Sequence, residues 1–269
     1  MGIFDAIILG FVQGLTEFLP ISSSGHLVLA RTVLGIEMNG VLAFDAILHF
    51  ATVLAVIVYF FPDIWILVQT LLRKLGRLPV NARDEILLLS LLVATIPAAL
   101  IGFLAESYLD RLFSSPVIVS MILFMAAFFF IFAEWKYSTT PRQSDINIQK
   151  GFKIGLFQVL ALMPGFSRSG ATIGGGMILG LTRIESARFS FLLSIPIILG
   201  AGLKKMLDFI TSPEAVNWVP VFVGSATACI VALIVIHFFL NFIRRYTLWP
   251  FIWYTLILST FLLFVFWFG

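Results

Sequence analysis

Residues 10–25 read Gly10-Phe-Val-Gln13-Gly-Leu-Thr-Glu17-Phe-Leu-Pro20-Ile-Ser22-Ser23-Ser24-Gly25, and residues 155–170 read Gly155-Leu-Phe-Gln158-Val-Leu-Ala-Leu-Met-Pro164-Gly165-Phe-Ser167-Arg168-Ser169-Gly170. At a constant offset of 145 residues, Gly10 meets Gly155, Gln13 meets Gln158, Leu15 meets Leu160, and Ser22, Ser24 and Gly25 meet Ser167, Ser169 and Gly170. The register continues without a gap through Leu34-Gly35 with Leu179-Gly180 and Phe44 with Phe189, and closes at Leu54 with Leu199. Matched apolar letters carry little information in so apolar a chain. Matched Gln, Ser and Gly in one order carry more, and they imply an internal repeat.

The solvent for this repeat is lipid. Of 269 residues 60% are hydrophobic and 12% are charged, against about 25% charged in a soluble domain. So few polar side chains could not cover so much apolar surface in water. The 29 phenylalanines read as lipid-facing or packing residues. The lone Cys229 excludes an internal disulfide and argues against a cysteine metal site; in its apolar run it reads as a small packing residue. The N-terminus lacks a basic region, carries Asp5 and runs straight into the first polar motif, so it reads as part of the mature protein.

Apolar runs of spanning length, near ~20 residues, fall at 41–61, 86–105, 115–134, 186–203, 216–240 and 247–268. Residues 3–34 and 152–182 are apolar but broken by Pro, Ser and Gly. Broken backbone at membrane depth is tolerated only inside protein or beside a wet cavity, so both read as re-entrant hairpins. Arg73, Lys74, Arg77 and Arg83 follow the first span; Lys136, Arg142, Lys150 and Lys153 follow the third; Arg244 and Arg245 follow the fifth. Placing these loops in the cytoplasm gives six alternating spans and outward termini. Lys204 and Lys205 then sit outside, against the rule. The expected fold is an all-α polytopic membrane protein: one domain over 1–269, an inverted-topology repeat of about 1–124 and 146–269, six transmembrane helices and two re-entrant hairpins. In such folds the polar site lies near the midplane, where broken helices meet. Basic residues are not interleaved with aromatics in a stripe, so nucleic acid is not an expected partner.

In the first motif Gln13 and Glu17, four apart, share a helix face, and Pro20 ends that helix. Ser22, Ser23, Ser24, Gly25 and His26 follow. Hydroxyls and free N–H groups at a helix start suit phosphate. Capping alone explains one serine, but not Glu17 and His26 in a membrane segment, where an ionisable group is a functional candidate by default. In the second motif Arg168 suits bidentate contact with phosphate oxygens. Ser167, Ser169 and Thr172 add hydroxyls, and Gly165 and Gly170 permit close backbone approach. The alternative, a basic loop that happens to hold an Arg, fits poorly, because the repeat sets Arg168 opposite Ser23. Together these residues read as one pyrophosphate pocket. Glu17, with Gln13, offers hard oxygen ligands to Mg²⁺ or Ca²⁺; a hydroxyl or imidazole attacks phosphorus, and metal and Arg offset transition-state charge.

Other polar residues read as weaker signals. Asp45 and His49 open the first long span, where lining an entrance and helix-end hydrogen bonding are equal alternatives. His237 reads as a packing histidine, Glu106, Asp110 and Arg111 as a solvated outer loop, and Glu134 with Trp135 as an interfacial span end.

Gln13 and Glu17 in a (Glu/Gln)-x-x-x-Glu pattern, the stretch Pro20 to His26, and Pro164-Gly-Phe-Ser-Arg-Ser-Gly-Ala-Thr172 resemble the bacterial undecaprenyl-pyrophosphate phosphatases of the bacitracin-resistance, BacA-type family. The resemblance covers the whole chain. It implies an interdigitated inverted repeat with six spans, a homodimer, and metal-dependent removal of the terminal phosphate of a C55 isoprenoid pyrophosphate at a site open to the outer side of the inner membrane. It also implies that Glu17 is the essential acid, Arg168 the phosphate-binding Arg and Ser23 a nucleophile. His26 is either nucleophile or general acid/base. Gln13 stands where many members carry Glu, which puts a second metal carboxylate in doubt.

The same residues admit two rival readings. Broken helices in an inverted repeat also suit a transporter of a lipid phosphate. An intramembrane serine protease built on Ser167 is disfavoured, since the adjacent Arg168 suits an anion better than a peptide carbonyl.

Overall fold

The computed structural model describes residues 1–36, 41–105, 115–139, 145–210 and 218–268. The expectations for Glu106, Asp110, Arg111 and Arg142 lie outside these residues. The described residues form helices alone: α1 (Ile3–Thr16), α2 (Ser23–Leu34), α3 (Val41–Tyr59), α4 (Phe61–Leu75), α5 (Ala82–Leu104), α6 (Pro116–Thr139), α7 (Ile148–Leu160), α8 (Arg168–Ile178), α9 (Arg183–Ile210), α10 (Trp218–Ile243) and α11 (Trp249–Phe268). Four of them, α5, α6, α10 and α11, are long and apolar enough to cross a membrane. The bent pair α3–α4 would make a fifth.

Both broken regions are helix pairs, α1–α2 and α7–α8. Each break is made in the same way. The residue before the second helix is a serine with positive φ, Ser22 at 70° and Ser167 at 73°. Its hydroxyl accepts the N–H three residues on, from Gly25 at 3.3 Å and Gly170 at 3.1 Å. That N-cap bond satisfies one of the free donors of the helix start. A non-glycine residue held in this region stores roughly 1–3 kcal/mol of strain, a cost that clusters at functional sites.

The first expected span, 41–61, departs from a straight helix. It stops at Tyr59 and turns by 86° into α4. Pro62 in the first turn of α4 fixes the new direction. The stretch read from sequence as a loop is thus a helix. It exposes Phe61, Trp65, Leu72 and Leu75 and carries Arg73 and Lys74 in its last turn, the make-up of a helix lying at a membrane interface.

Small residues set the packing. A Cβ added at Gly10 would lie 2.2 Å from the Gly224 carbonyl oxygen, and one at Gly14 would lie 2.5 Å from that of Ala228. Across the molecule, a Cβ at Gly155 would meet the Ala94 carbonyl at 2.4 Å and one at Gly151 that of Ser90 at 2.7 Å. Each contact is small-xxx-small on both sides. It lets α1 press backbone to backbone on α10, and α7 on α5. The first helix of each broken pair is therefore held by a long span from the other half of the chain.

Glu134, expected at an interfacial span end, is tied into the protein interior by hydrogen bonds. It is buried, 4% exposed. It accepts from Arg183 Nε at 3.1 Å and Nη2 at 2.5 Å, and from the backbone N–H of Leu248 at 2.6 Å. The Arg183 guanidinium also lies 4.1 Å from the centre of the Tyr137 ring.

Two stability predictions follow from these contacts. Gly10→Val should destabilise the protein by about 2 kcal/mol through overpacking, read as a lower melting temperature in detergent, while Gly76→Ala, with its nearest neighbour at 3.4 Å, should leave it unchanged. Glu134→Ala should cost about 3 kcal/mol by stranding Arg183, and Glu134→Ala combined with Arg183→Met should recover part of that loss in the same melting assay.

Candidate functional site

The two broken pairs meet at Glu17. This carboxylate follows the last turn of α1 and is 6% exposed. Its Oε1 accepts from Arg168 Nη2 at 2.7 Å. Its Oε2 accepts from Ser23 Oγ at 2.8 Å and Gln13 Nε2 at 2.9 Å, and lies 2.9 Å from His49 Nδ1. Ser23 is the first residue of α2 and Arg168 the first of α8. Two helix starts, each with free N–H groups and the positive end of its dipole, thus converge on one point. Such a point attracts anions.

Arg168 spans the halves. Besides Glu17, it donates through Nη1 to the Ser190 carbonyl at 3.1 Å, and its guanidinium sits 5.9 Å from the centre of the Phe18 ring. These two hydrogen bonds leave further guanidinium donors for a phosphate. Thr172 braces the same corner: its hydroxyl bonds to the Arg168 carbonyl at 2.8 Å and pairs with Ser190 Oγ at 2.6 Å.

The other predicted residues divide by exposure. Ser23, Ser24, His26 and Arg168 are part-exposed around the buried Glu17. Ser22, Gly25, Ser167, Ser169, Gly170 and Thr172 are buried. Ser169 donates to the Leu19 carbonyl at 2.9 Å, tying α8 to the first break. A Cβ on Gly170 would strike the Phe130 ring at 2.3 Å. The buried hydroxyls therefore hold the two breaks in shape, and the part-exposed groups face the space a ligand can reach.

His26 is turned away from the carboxylate. Its Nδ1 lies 2.7 Å from the Ser22 carbonyl oxygen, which can only accept, so that nitrogen carries a proton. Its Nε2 lies 2.7 Å from the Tyr254 hydroxyl of α11, and the rings stack at 5.6 Å. One helical turn before His49, Asp45 holds Arg31 with both carboxylate oxygens, at 2.6 and 2.7 Å.

Sequence reasoning left His49 among equal alternatives and missed Tyr254 and Ser190. For His49 a signal existed: Asp45 and His49 are four apart in an otherwise apolar helix, so they share a face. Tyr254 and Ser190 gave none, being ordinary residues in apolar helices whose role depends on what packs opposite.

Comparison with known proteins agrees with this geometry. The chain is 42% identical over 266 residues to the undecaprenyl-diphosphatase of Teredinibacter turnerae, covering 97% of this chain and 98% of that one. It is 40% identical over 263 residues to the undecaprenyl-diphosphatase of Alteromonas mediterranea, with 98% of each covered. It is 39% identical over 270 residues to that of Saccharophagus degradans, over the full length of both. The model of the bacitracin resistance protein BacA family matches residues 6–261, and the chain belongs to that family.

Proposed function

We propose that the protein is an undecaprenyl-pyrophosphate phosphatase, removing the terminal phosphate of the C55 isoprenoid pyrophosphate and so recycling the cell-wall carrier lipid and conferring bacitracin resistance. The observation that carries the reading is Glu17 holding both Arg168 and Ser23 at the meeting of two helix starts. A cation, a hydroxyl and a carboxylate at one anion-attracting point are the groups that hydrolysis of a phosphoric anhydride needs. The relatives' names point to the same substrate.

Arg168 and the N–H groups opening α2 and α8 bind the terminal phosphate and offset its charge as it transfers. Ser23 Oγ attacks phosphorus, its proton passes to the adjacent Glu17 carboxylate, and the bond to the bridging oxygen breaks, releasing the lipid monophosphate. Water then attacks phosphorus as the bond to Ser23 Oγ breaks; Glu17 returns the proton it holds to Ser23 Oγ, and the water's own protons leave with the free phosphate. Ser23 is favoured over His26 as nucleophile because Ser23 faces the carboxylate, whereas His26 spends its ring nitrogens on Ser22 and Tyr254. His26 and Tyr254 are placed to pass protons at the rim.

The residues present fit a hard divalent cation, Mg²⁺ or Ca²⁺. Glu17 offers carboxylate oxygens, and the buried Gln13 Oε1 has no hydrogen-bond partner. When bound, the cation would neutralise the phosphate facing Glu17 and polarise it toward attack.

The equivalent serine breaks and crossed glycine contacts support an inverted repeat of about 1–124 and 146–269. With α3 and α9 counted, the spans number six, flanked by the re-entrant pairs. The basic loops then face the cytoplasm, and the pocket opens to the outer side of the inner membrane. A homodimer completes the reading on family grounds. A lipid-phosphate transporter is the second reading, favoured by the broken helices.

In detergent, wild type should release phosphate from a C55 or C15 isoprenoid pyrophosphate, and EDTA should stop it. Glu17→Ala and Arg168→Ala should each lose at least ~100-fold in kcat/KM, the scale of removing a key electrostatic group. Ser23→Ala should fall as far, and Tyr254→Phe by roughly 100-fold, the low end for loss of a group that passes protons. A well-folded wild type that releases nothing would leave the transporter as the better account.

A further inference from the structure

The polar atoms beside Glu17 do not satisfy one another. Gln13 Nε2, Glu17 Oε2 and His49 Nδ1 form a nearly equilateral triangle, with sides of 2.7 Å (Gln13–His49), 2.9 Å (Gln13–Glu17) and 2.9 Å (His49–Glu17). Protons alone cannot serve all three sides. If His49 Nδ1 carries a proton toward Glu17, it opposes a donor from Gln13 at 2.7 Å. If it accepts from Gln13, then two lone pairs face each other across the His49–Glu17 side. Nor can the amide serve both neighbours well, since its two hydrogens point about 120° apart and the triangle offers about 60°.

Meanwhile the other end of this amide is starved. Gln13 is fully buried, and its Oε1 has no partner, so nothing at that end fixes which way round the amide lies. A half-turn about the last side-chain bond exchanges oxygen for nitrogen with no change of shape. It brings an amide oxygen into the triangle in place of nitrogen. The three corners are then a carboxylate oxygen, an amide oxygen and an imidazole lone pair, all acceptors, and only a cation satisfies them together. The size fits: ligands about 2.1 Å from an octahedral ion lie about 3.0 Å apart along an edge.

We propose that His49 is a protein ligand of the divalent cation, binding through Nδ1 on one octahedral face with Glu17 Oε2 and Gln13 Oε1, so that an imidazole completes a face that holds a single carboxylate. Among the described residues no three His, Cys, Asp or Glu side chains group as a metal cluster. The site is two such residues and an amide, and its remaining positions are left for water and phosphate oxygens. The Thr52 hydroxyl, donating to the His49 carbonyl at 2.7 Å, caps the backbone from which the ligand projects. A nitrogen ligand also alters selectivity. Ca²⁺ prefers an all-oxygen set, whereas a mixed set tilts affinity toward transition ions such as Mn²⁺.

This inference deepens the phosphatase reading but is tested apart from it, by Mn²⁺ binding to the full chain in detergent without substrate. Wild type should bind Mn²⁺ with a nitrogen hyperfine coupling in its pulsed electron paramagnetic resonance spectrum. His49→Gln should still bind, without the coupling and with Ca²⁺ displacing Mn²⁺ more readily. His49→Ala should weaken binding by roughly 10- to 100-fold, and His26→Gln should retain the coupling. Absence of nitrogen coupling in wild type, unchanged affinity in His49→Ala, or no Mn²⁺ binding at all would overturn the assignment. Phosphate release by wild type without nitrogen coupling would sink the ligand and spare the enzyme; coupling without release would do the reverse.

Discussion

A carboxylate buried among apolar helices is tolerable only if charge and hydrogen bonds come to meet it, and much of the architecture is arranged around that demand at Glu17. Its two oxygens draw together α1, α2, α3 and α8, through Gln13, Ser23, His49 and Arg168. Arg168 lies 151 residues away in the chain. No local element could supply it, so the two halves must interdigitate for the charge to be matched.

That interdigitation is made possible by what the helices lack. Gly10 and Gly14 on α1, and Gly151 and Gly155 on α7, leave no side chain between their backbones and the carbonyls of α10 and α5. In lipid, apolar side chains gain little by leaving one apolar neighbour for another, so close backbone contact is what fastens the helices. The short helices are thereby fixed rigidly enough for their ends to serve as a site. The strained serines at Ser22 and Ser167 then aim the next helix start at Glu17. Backbone packing, turn strain and charge pairing thus act in sequence to preorganise an anion pocket, the arrangement that makes electrostatic catalysis effective.

Much of this was legible before any coordinates. Polar letters repeated in register announced the paired breaks, because in an apolar chain Ser, Gln and Gly stand out. Glu17, Ser23 and Arg168 were legible for the same reason, and they meet as the motifs implied. The burial of Glu134 is not legible in the sequence, because it depends on Arg183 and Leu248, which come from elsewhere in the chain. Helix α4 is not legible as a helix, because its basic end dominates the pattern and the 86° turn at Phe60 leaves no mark beyond Pro62. His49 looked ambiguous because its meaning lies in its distance to a helix that precedes it by more than thirty residues.

The Glu134–Arg183 and Glu17–Arg168 pairs also constrain how the protein is made. Each acid emerges from the ribosome well before its arginine, by 49 residues for Glu134 and by 151 for Glu17. Until then each is an unmatched charge that the bilayer core resists. The Glu17–Arg168 contact therefore cannot form until α8 has been made. Completion of the site is a late step of synthesis, set by the 151 residues between the two partners.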